Sequence, residues 1–275
     1  MPPSSPPCGI LFVGHGCSHA HTDWFVHCQD CLGLPEERGI VKIALKFNLM
    51  VVAMSSENKR SRCWEVSKDG PRVASVLHDL SQRFSGQRPL PIYAFGASSG
   101  GTFVSNLHSY LTKRGLKLDA FVSQIMAASP PISVNRAVYI TMNRDKYTDA
   151  KAKKFVFNSH RDTKIKQIRL PPLEISEAFF SERIVEVTKD QSNAIMQSLK
   201  GAGFLDAEGL LREDPRRSAW RALVRPHVPQ IQDSLEADQS PISEVLNVAY
   251  AKHEMARDGV EEALEFCLAD EICSR

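Results

Sequence analysis

Residues 92–101 read IYAFGASSGG, and the fold prediction starts from this segment. Within it, Gly96, Ser98 and Gly100 fit the pattern Gly-x-Ser-x-Gly, a sharp turn that joins a buried strand to a helix and lifts a serine off the strand end. Small neighbours are needed because the turn brings the two backbones close together. The bare pattern is weak, but an apolar strand before it and an amphipathic helix after it strengthen it. It predicts a nucleophile at Ser98, because a shift of the motif onto Ser99 would put Ala97 where the first glycine is needed.

The chain around this stretch alternates between buried strands and helices. Apolar runs predict six strands, and apolar positions at helical spacing predict the helices between them. Such alternation with short connections is typical of a mostly parallel sheet covered by helices on both faces. The predicted strands are 9–14, 49–54, 91–95, 121–126, 137–142 and 165–170, and the predicted helices are 35–47, 71–84, 99–113 and 148–158.

The strand pattern ends at Pro171 and Pro172. Beyond them the sequence predicts helices and turns, and a last amphipathic helix covers about 260–268. We expect an α/β core at 1–171, a helical insertion at 172–245 that forms a lid or pocket wall, and a C-terminal core segment at 246–275. We expect Phe179, Phe180, Phe204 and Trp220 to give the insertion an apolar lining.

Composition excludes several classes of protein. The 275 residues are 43% hydrophobic and 24% charged, which is an ordinary globular mixture and excludes a wholly disordered or collagen-like chain. The net charge of +2 combines +11 over residues 1–171 with −9 over the remainder. We interpret this asymmetry as a basic core that holds an acidic insertion and C-terminal segment, with an interface that high salt loosens.

The sequence also predicts where the protein resides. No apolar run approaches the roughly 20 residues that a membrane-spanning helix needs. The first residues, MPPSSPP, lack the basic and apolar regions of a signal peptide. A cytosolic location with no membrane span is therefore expected.

Several segments resemble the α/β-hydrolase superfamily and, more closely, a group of plant and algal α/β-hydrolase-like proteins of poorly defined substrate. The resemblance implies an α/β-hydrolase fold and spans nearly the whole chain. It rests on the turn at 96–100 and on His15-Gly16-Cys17, residues 28–37, Arg62-Cys63-Trp64, residues 143–146 and residues 249–255.

A nucleophilic serine needs a base that is oriented by an acid, and in this superfamily the chain order is serine, acid, histidine. Asp145 follows the strand 137–142 at its carboxyl end, and Asp149 is the reserve. His253 precedes the last helix, where the superfamily places its catalytic histidine, although it lies 83 residues beyond the last strand. The insertion must therefore loop out and return. His227 is the alternative base.

The oxyanion hole needs two backbone N–H groups. Ser99, the residue after the nucleophile, should supply one. The other is assigned to the backbone of Cys17, because His15-Gly16-Cys17 resembles the His-Gly turn of the superfamily.

Two further signals are given less functional weight. Cys28 and Cys31 are interpreted first as free thiols, with a disulfide or a zinc site as alternatives; Cys17, Cys63, His19, His21 and His27 could complete a zinc site. The basic stretch 144–169 is interpreted as a solvated helix face and an edge strand rather than a nucleic-acid surface.

These features predict a serine hydrolase that cleaves an ester-type or related acyl bond of a small molecule. No metal, organic cofactor or nucleic-acid partner is implied. The alternatives are a non-catalytic ligand-binding protein on the same scaffold, or an interaction module built on the acidic insertion.

Overall fold

A single six-stranded sheet forms the centre of the molecule. The computed structural model describes residues 6–28, 30–84, 89–130, 134–157, 163–231, 233 and 235–269. All five strand pairings are parallel, in the order β2-β1-β3-β4-β5-β6, so the α/β prediction is confirmed. The strands are β1 (Gly9–Gly14), β2 (Leu49–Ala53), β3 (Ile92–Ala97), β4 (Ala120–Gln124), β5 (Arg136–Met142) and β6 (Lys164–Leu170).

The strands are apolar on both faces because helices cover both faces of the sheet. In β1, Leu11 and Val13 pack into one apolar cluster, and Ile10 and Phe12 pack into the other. The first cluster is closed by α1 (Pro35–Lys46) and α10 (Val260–Leu268), and the second by α2 (Val66–Phe84), α3 (Ser99–Asn106), α4 (His108–Thr112) and α5 (Lys146–Phe157).

Two helices differ from their predicted bounds. The helix α2 begins at Val66 rather than at Pro71, which lies inside it. Asp69, whose carboxylate accepts the N–H groups of Glu57 and Glu65, holds the first turn in place before the proline. The predicted helix 99–113 is divided at Leu107 into α3 and α4. The last residue of the predicted helix 148–158 lies outside the described residues.

The insertion is helical, as predicted, and has an apolar cluster of its own. It contains α6 (Phe179–Arg183), α7 (Lys189–Gly201) and α8 (Arg221–Val224), and it leads into α9 (Pro241–Tyr250). One face of α9 packs into the insertion cluster through Ile242, Val245, Leu246 and Ala249. The helix therefore runs across the expected boundary at 245/246, and the division into three parts stays a prediction.

The basic stretch that begins at Arg144 forms α5 and the edge strand β6, where Lys164 and Arg169 are exposed. Among the described residues, no helix is both long and apolar enough to cross a membrane.

Candidate active site

The turn after β3 has the backbone of a strained elbow. Ser98 has φ 52° and ψ −116°, a conformation that side-chain-bearing residues rarely adopt. The helix α3 begins at the next residue, Ser99. A Cβ on Gly96 would collide with the backbone of Gly100, and one on Gly100 would collide with the carbonyl of Gly14. The two glycines are therefore required by close backbone approach, as the sequence predicted.

Three side chains from distant parts of the chain meet at this elbow. The Oγ of Ser98 lies 3.3 Å from Nε2 of His253. The Nδ1 of the same imidazole lies 3.0 Å from Oδ2 of Asp145. The geometry is that of a nucleophile, a base and an orienting acid, each within hydrogen-bond reach of the next.

Asp145 reaches His253 from the carboxyl end of β5. It lies between β5 and α5, and its carboxylate also accepts hydrogen bonds from the backbone N–H and the hydroxyl of Thr148. It therefore caps α5 and contacts the histidine at the same time, and the cap fixes its rotamer. Asp149, the reserve candidate, instead binds Gln167 and Arg169.

The loop that carries His253 is brought back to the sheet by backbone hydrogen bonds. The N–H of Leu173 donates to the carbonyl of Ala249, and the N–H of Arg144 donates to the carbonyl of Ala251. These contacts join the end of α9 to the ends of β5 and β6, so the 83-residue separation closes in space. Arg216 of the insertion donates to the carbonyl of His253 and holds the loop from the other side. The alternative base, His227, bonds Ser198 inside the insertion.

The loop after β1 lies beside the nucleophile. Gly14 is the register partner of Gly96, so the two strands end level with each other. A Cβ on Gly16 would lie 3.8 Å from the Cβ of Ser98. The backbone N–H groups of Cys17 and Ser99 donate no hydrogen bond to any described residue. Both are therefore free to bind a developing oxyanion.

A disulfide fixes this loop. Cys17 is bonded to Cys63, 46 residues further along the chain. Next to it, the indole N–H of Trp64 donates to the carbonyl of His15, and the N–H of Ser18 donates to the carbonyl of Ser61. The segment before α2 thus holds the loop at several points.

Breaking this crosslink should lower both stability and activity. We expect Cys63→Ser to lower the free energy of unfolding by about 2–4 kcal/mol, since the disulfide closes a long loop in the unfolded chain. If the Cys17 amide binds an oxyanion, as the sequence predicts, ester hydrolysis should also fall about tenfold, because the amide loses its fixed position. Denaturant unfolding and kcat measure the two effects. The control is Cys31→Ser, which opens a disulfide of sequence separation 3 and should cost less. Unchanged activity in Cys63→Ser would show that the crosslink does not position the amide.

The second cysteine pair corrects an expectation. Cys28 and Cys31 form a disulfide, so their interpretation as free thiols is wrong, and the pair offers no thiolates to zinc. A Cys-x-x-Cys spacing is compatible with free thiols, a disulfide or a zinc site, and the folded loop joins the two sulfurs in a disulfide. Disulfides are typical of oxidising compartments. The two crosslinks therefore weigh against the cytosolic location, which stays a prediction.

His15 is buried under the loop as a neutral ring. Its Nδ1 lies 2.6 Å from the carbonyl of Gly16, and its Nε2 accepts the backbone N–H of Ser56 at 3.2 Å. One nitrogen must therefore carry a proton while the other offers a lone pair. Burial lowers the pKa of His15 from 6.5 to about 4.

This histidine should make the fold sensitive to acid. Between pH 6.5 and about 4 the unfolded chain protonates this ring while the folded chain does not. Above pH 6.5 the ring is neutral in both states, so it does not change the stability. As the pH drops from 6.5 to about 4, protonation of the unfolded chain lowers the free energy of unfolding by about 3 kcal/mol. Urea unfolding of the wild type and of His15→Asn at pH 7, 5.5 and 4 measures the difference. Parallel pH curves for the two proteins would contradict the prediction.

The cleft above Ser98 is polar. Its volume is about 470 Å³, and Met255 and Ile125 are among its few apolar side chains. Its charged lining residues are His19, Asp214, Arg216, Arg217, Asp238, Lys252, His253 and Glu254.

The expected apolar lining is wrong. The aromatic residues of the insertion pack into its own cluster instead of lining the cleft, because the insertion has to bury a core of its own; they are Phe179, Phe180, Phe204 and Trp220. The sequence analysis also missed Arg216, Arg217 and Lys252, which line the cleft. The signal that could have found Lys252 is its position beside His253.

No protein-family model matches this sequence, and no curated protein matches it. Solved structures resemble it at low identity. An arylesterase is 13% identical, with 62% of this chain and 69% of that chain aligned at a TM-score of 0.41. A lipase-esterase related protein from Clostridium acetobutylicum is 11% identical, with 61% of this chain and 88% of that chain aligned at a TM-score of 0.41. An esterase from Pyrobaculum calidifontis is 13% identical, with 72% of this chain and 78% of that chain aligned at a TM-score of 0.42. The narrower resemblance to plant and algal proteins finds no support in these comparisons. At such identities the side chains around Ser98 have to carry the functional argument.

Proposed function

We propose that this chain is a serine hydrolase of the α/β-hydrolase type that cleaves an ester-type or related acyl bond. The observation that carries the proposal is the continuous series of contacts from Ser98 through His253 to Asp145, with separations of 3.3 and 3.0 Å. A serine hydroxyl is a poor nucleophile unless a base accepts its proton, and this base already has its acid in place.

The reaction follows from these contacts. The Oγ of Ser98 attacks the acyl carbon while its proton passes to Nε2 of His253. Asp145 holds the imidazole by Nδ1 and stabilises its protonated form. The N–H groups of Cys17 and Ser99 bind the oxyanion of the tetrahedral intermediate. His253 then donates the proton to the leaving oxygen, the acyl group remains on Ser98, and a water molecule activated by His253 releases it as the acid.

The cleft suggests a polar substrate. Arg217 is exposed and lines the cleft, and its guanidinium forms no ion pair with a described residue. Lys252 and Arg216 are neutralised by Asp214 and Glu254. The insertion forms one wall of the cleft through Asp214, Arg216, Arg217 and Asp238, which supports its interpretation as a pocket wall.

Two measurements test the proposal. A fluorophosphonate probe should label the folded protein at one site, with Ser98 as the modified residue. A panel of acyl esters should then show hydrolysis, with acyl groups that carry a carboxylate preferred over long alkyl chains because of Arg217. A folded protein that neither takes up the probe nor hydrolyses any ester would instead support the non-catalytic ligand-binding alternative.

A further inference from the structure

Next to the proposed active site lies a buried group of acidic side chains around one histidine. His19 is only 5% exposed, and it lies two residues after Cys17. Its Nδ1 is 3.1 Å from Oδ2 of Asp23 and 3.5 Å from Oε1 of Glu37, and its Nε2 is 3.6 Å from Oδ1 of Asp238. Four separate parts of the chain supply these groups: the loop after β1, the short 3-10 helix His21–Trp24, α1 and, for Asp238, the turn before α9.

The carboxylate of Glu37 lacks a strong partner. It is completely buried and accepts no well-formed hydrogen bond from an N–H group of the described residues. Its ionisable neighbours are the His19 ring, 3.5 Å from Oε1, and the carboxyl of Glu244, with which it shares a hydrogen bond when one of the two is protonated. Its neighbour Glu244 on α9 is also buried and has one oxygen without a partner. In the described part of the chain, no lysine or arginine forms an ion pair with Asp23, Glu37 or Glu244.

The charge therefore remains unbalanced. One imidazolium at His19 cannot neutralise Asp23, Glu37 and Asp238 together. A buried charge is tolerated when it is paired or when it coordinates a metal.

The spacing of the atoms fits a metal. The three candidate ligand atoms all lie within 4.8 Å of one another. In a tetrahedral site with bonds of about 2.0–2.2 Å, neighbouring ligand atoms are about 3.3–3.6 Å apart. The 3.5 Å between Nδ1 of His19 and Oε1 of Glu37 matches that edge length. The 3.1 Å to Oδ2 of Asp23 is a hydrogen bond that a bound ion would replace with a slightly longer separation. Asp238, facing the second ring nitrogen, occupies the place of the carboxylate that commonly orients a metal-bound histidine.

We propose that Nδ1 of His19 and the carboxylates of Asp23 and Glu37 bind a divalent transition-metal cation, for which Zn²⁺ is the best fit to one nitrogen and two carboxylate ligands. Glu244, a hydrogen-bond neighbour of Glu37, can supply a fourth ligand. Both His19 and Asp23 line a cleft of about 860 Å³, so an ion can reach the site from solvent. His19 also lines the Ser98 cleft.

Such an ion would act on structure rather than on the acyl bond. It would tie the loop that carries Cys17 to α1, where Glu37 lies in the first turn. Its ligands are distinct from Ser98, Asp145 and His253. The site therefore stands or falls independently of the proposed hydrolase activity.

The test uses untagged full-length protein that has been stripped with EDTA and dialysed. Titration with ZnCl₂ in a calorimeter should show one ion bound per chain, and saturating zinc should raise Tm because it binds only the folded state. We expect Glu37→Gln and His19→Gln each to weaken binding about 100-fold or more and to abolish the rise in Tm. We expect Asp238→Asn to weaken binding about tenfold.

The matched control is His21→Gln. His21 is two residues from His19, is exposed and bonds Ser55, so this variant should bind zinc as the wild type does. Glu37→Gln removes a fully buried carboxylate that no lysine or arginine of the described residues balances, so without zinc it should keep the wild-type Tm or exceed it. Folding is checked by circular dichroism.

Substitution of Co²⁺ gives a readout that needs no variant. Wild-type protein with one equivalent of Co²⁺ should develop the strong visible absorption typical of a tetrahedral site. The proposal is overturned if the wild type shows no saturable binding at one ion per chain, if the Co²⁺ spectrum stays that of the hydrated ion, or if Glu37→Gln and His19→Gln bind zinc as tightly as His21→Gln.

Discussion

Replacement of Ser98 by alanine should lower kcat/KM for ester hydrolysis by at least about a thousandfold, and should abolish labelling by a fluorophosphonate. The expected loss is large because Ser98, His253 and Asp145 act as a unit, and removal of the nucleophile leaves only what the oxyanion hole and substrate binding supply. His253→Ala should cause a loss of similar size. Asp145→Asn should lower kcat by about ten-thousandfold, because the amide cannot hold the imidazole in the required tautomer.

The histidine comparison has a control within the same chain. His227 was the other candidate base, and the structure places it against Ser198 in the insertion. His227→Gln should therefore leave kcat/KM within about twofold. Each variant is checked for an unchanged Tm, so that a loss of activity reports on chemistry. Retained hydrolysis in Ser98→Ala, or equal losses in His253→Ala and His227→Gln, would contradict the assigned roles.

The sequence predicted which residues lie at the elbow, because each depends on local pattern or on position relative to a strand; their catalytic roles stay a prediction. Gly96 and Gly100 are dictated by close backbone approach, which only glycine permits. Asp145 follows a recognisable strand at its carboxyl end, on the sheet edge where the parallel strands β1 and β3 also end. His253 precedes a recognisable helix, and in the folded chain its Nε2 lies 3.3 Å from Oγ of Ser98.

The features that the sequence could not predict depend on contacts between distant segments. Cys17 and Cys63 are 46 residues apart, and nothing local marks them as partners. The described part of the insertion has no strand to fix its position, so the sequence spacing did not show whether Phe180 points into the insertion or towards the cleft. Its full burial shows that the aromatic residues serve the insertion's own core.

The expected attraction between a basic core and an acidic remainder is only partly reflected in the ion pairs. Three exposed pairs among the described residues have the expected sign: Arg38 of the core with Glu186 of the insertion, and Lys46 and Lys166 of the core with Glu261 and Glu262 of α10. In the buried contact the signs are opposite to the expectation, because the insertion supplies the cation and the partners supply the acids. Arg183 of the insertion binds Glu36 of α1 at 2.8 Å and Asp258, before α10, at 2.8 Å. Regional net charge averages over many exposed side chains, whereas a buried contact depends on a few residues.

Arg183→Met should therefore destabilise the protein strongly, by about 3–5 kcal/mol in the free energy of unfolding. Glu36 is fully buried. Loss of the guanidinium leaves Oε1 of its carboxylate without Arg183, while Oε2 still accepts the backbone N–H of Arg257. A buried charge without its counter-ion is among the costliest defects a fold can carry. Guanidinium unfolding followed by circular dichroism measures the change.

The matched control is Arg38→Met, which removes the exposed bridge to Glu186 and should cost about 1 kcal/mol or less. The double variant Arg183→Met with Glu36→Gln should regain part of the loss, because it removes the unpaired charge as well. Equal losses of unfolding free energy in Arg183→Met and Arg38→Met would show that burial adds nothing to the contact.

Salt should also distinguish the two contacts. In 1 M NaCl the exposed bridge between Arg38 and Glu186 is screened, whereas the buried contact of Arg183 is hardly affected. The free energy of unfolding should therefore fall in salt by about as much as in Arg38→Met, and by much less than in Arg183→Met. On this basis, high salt should loosen the insertion far less than the net charges of the two regions suggest.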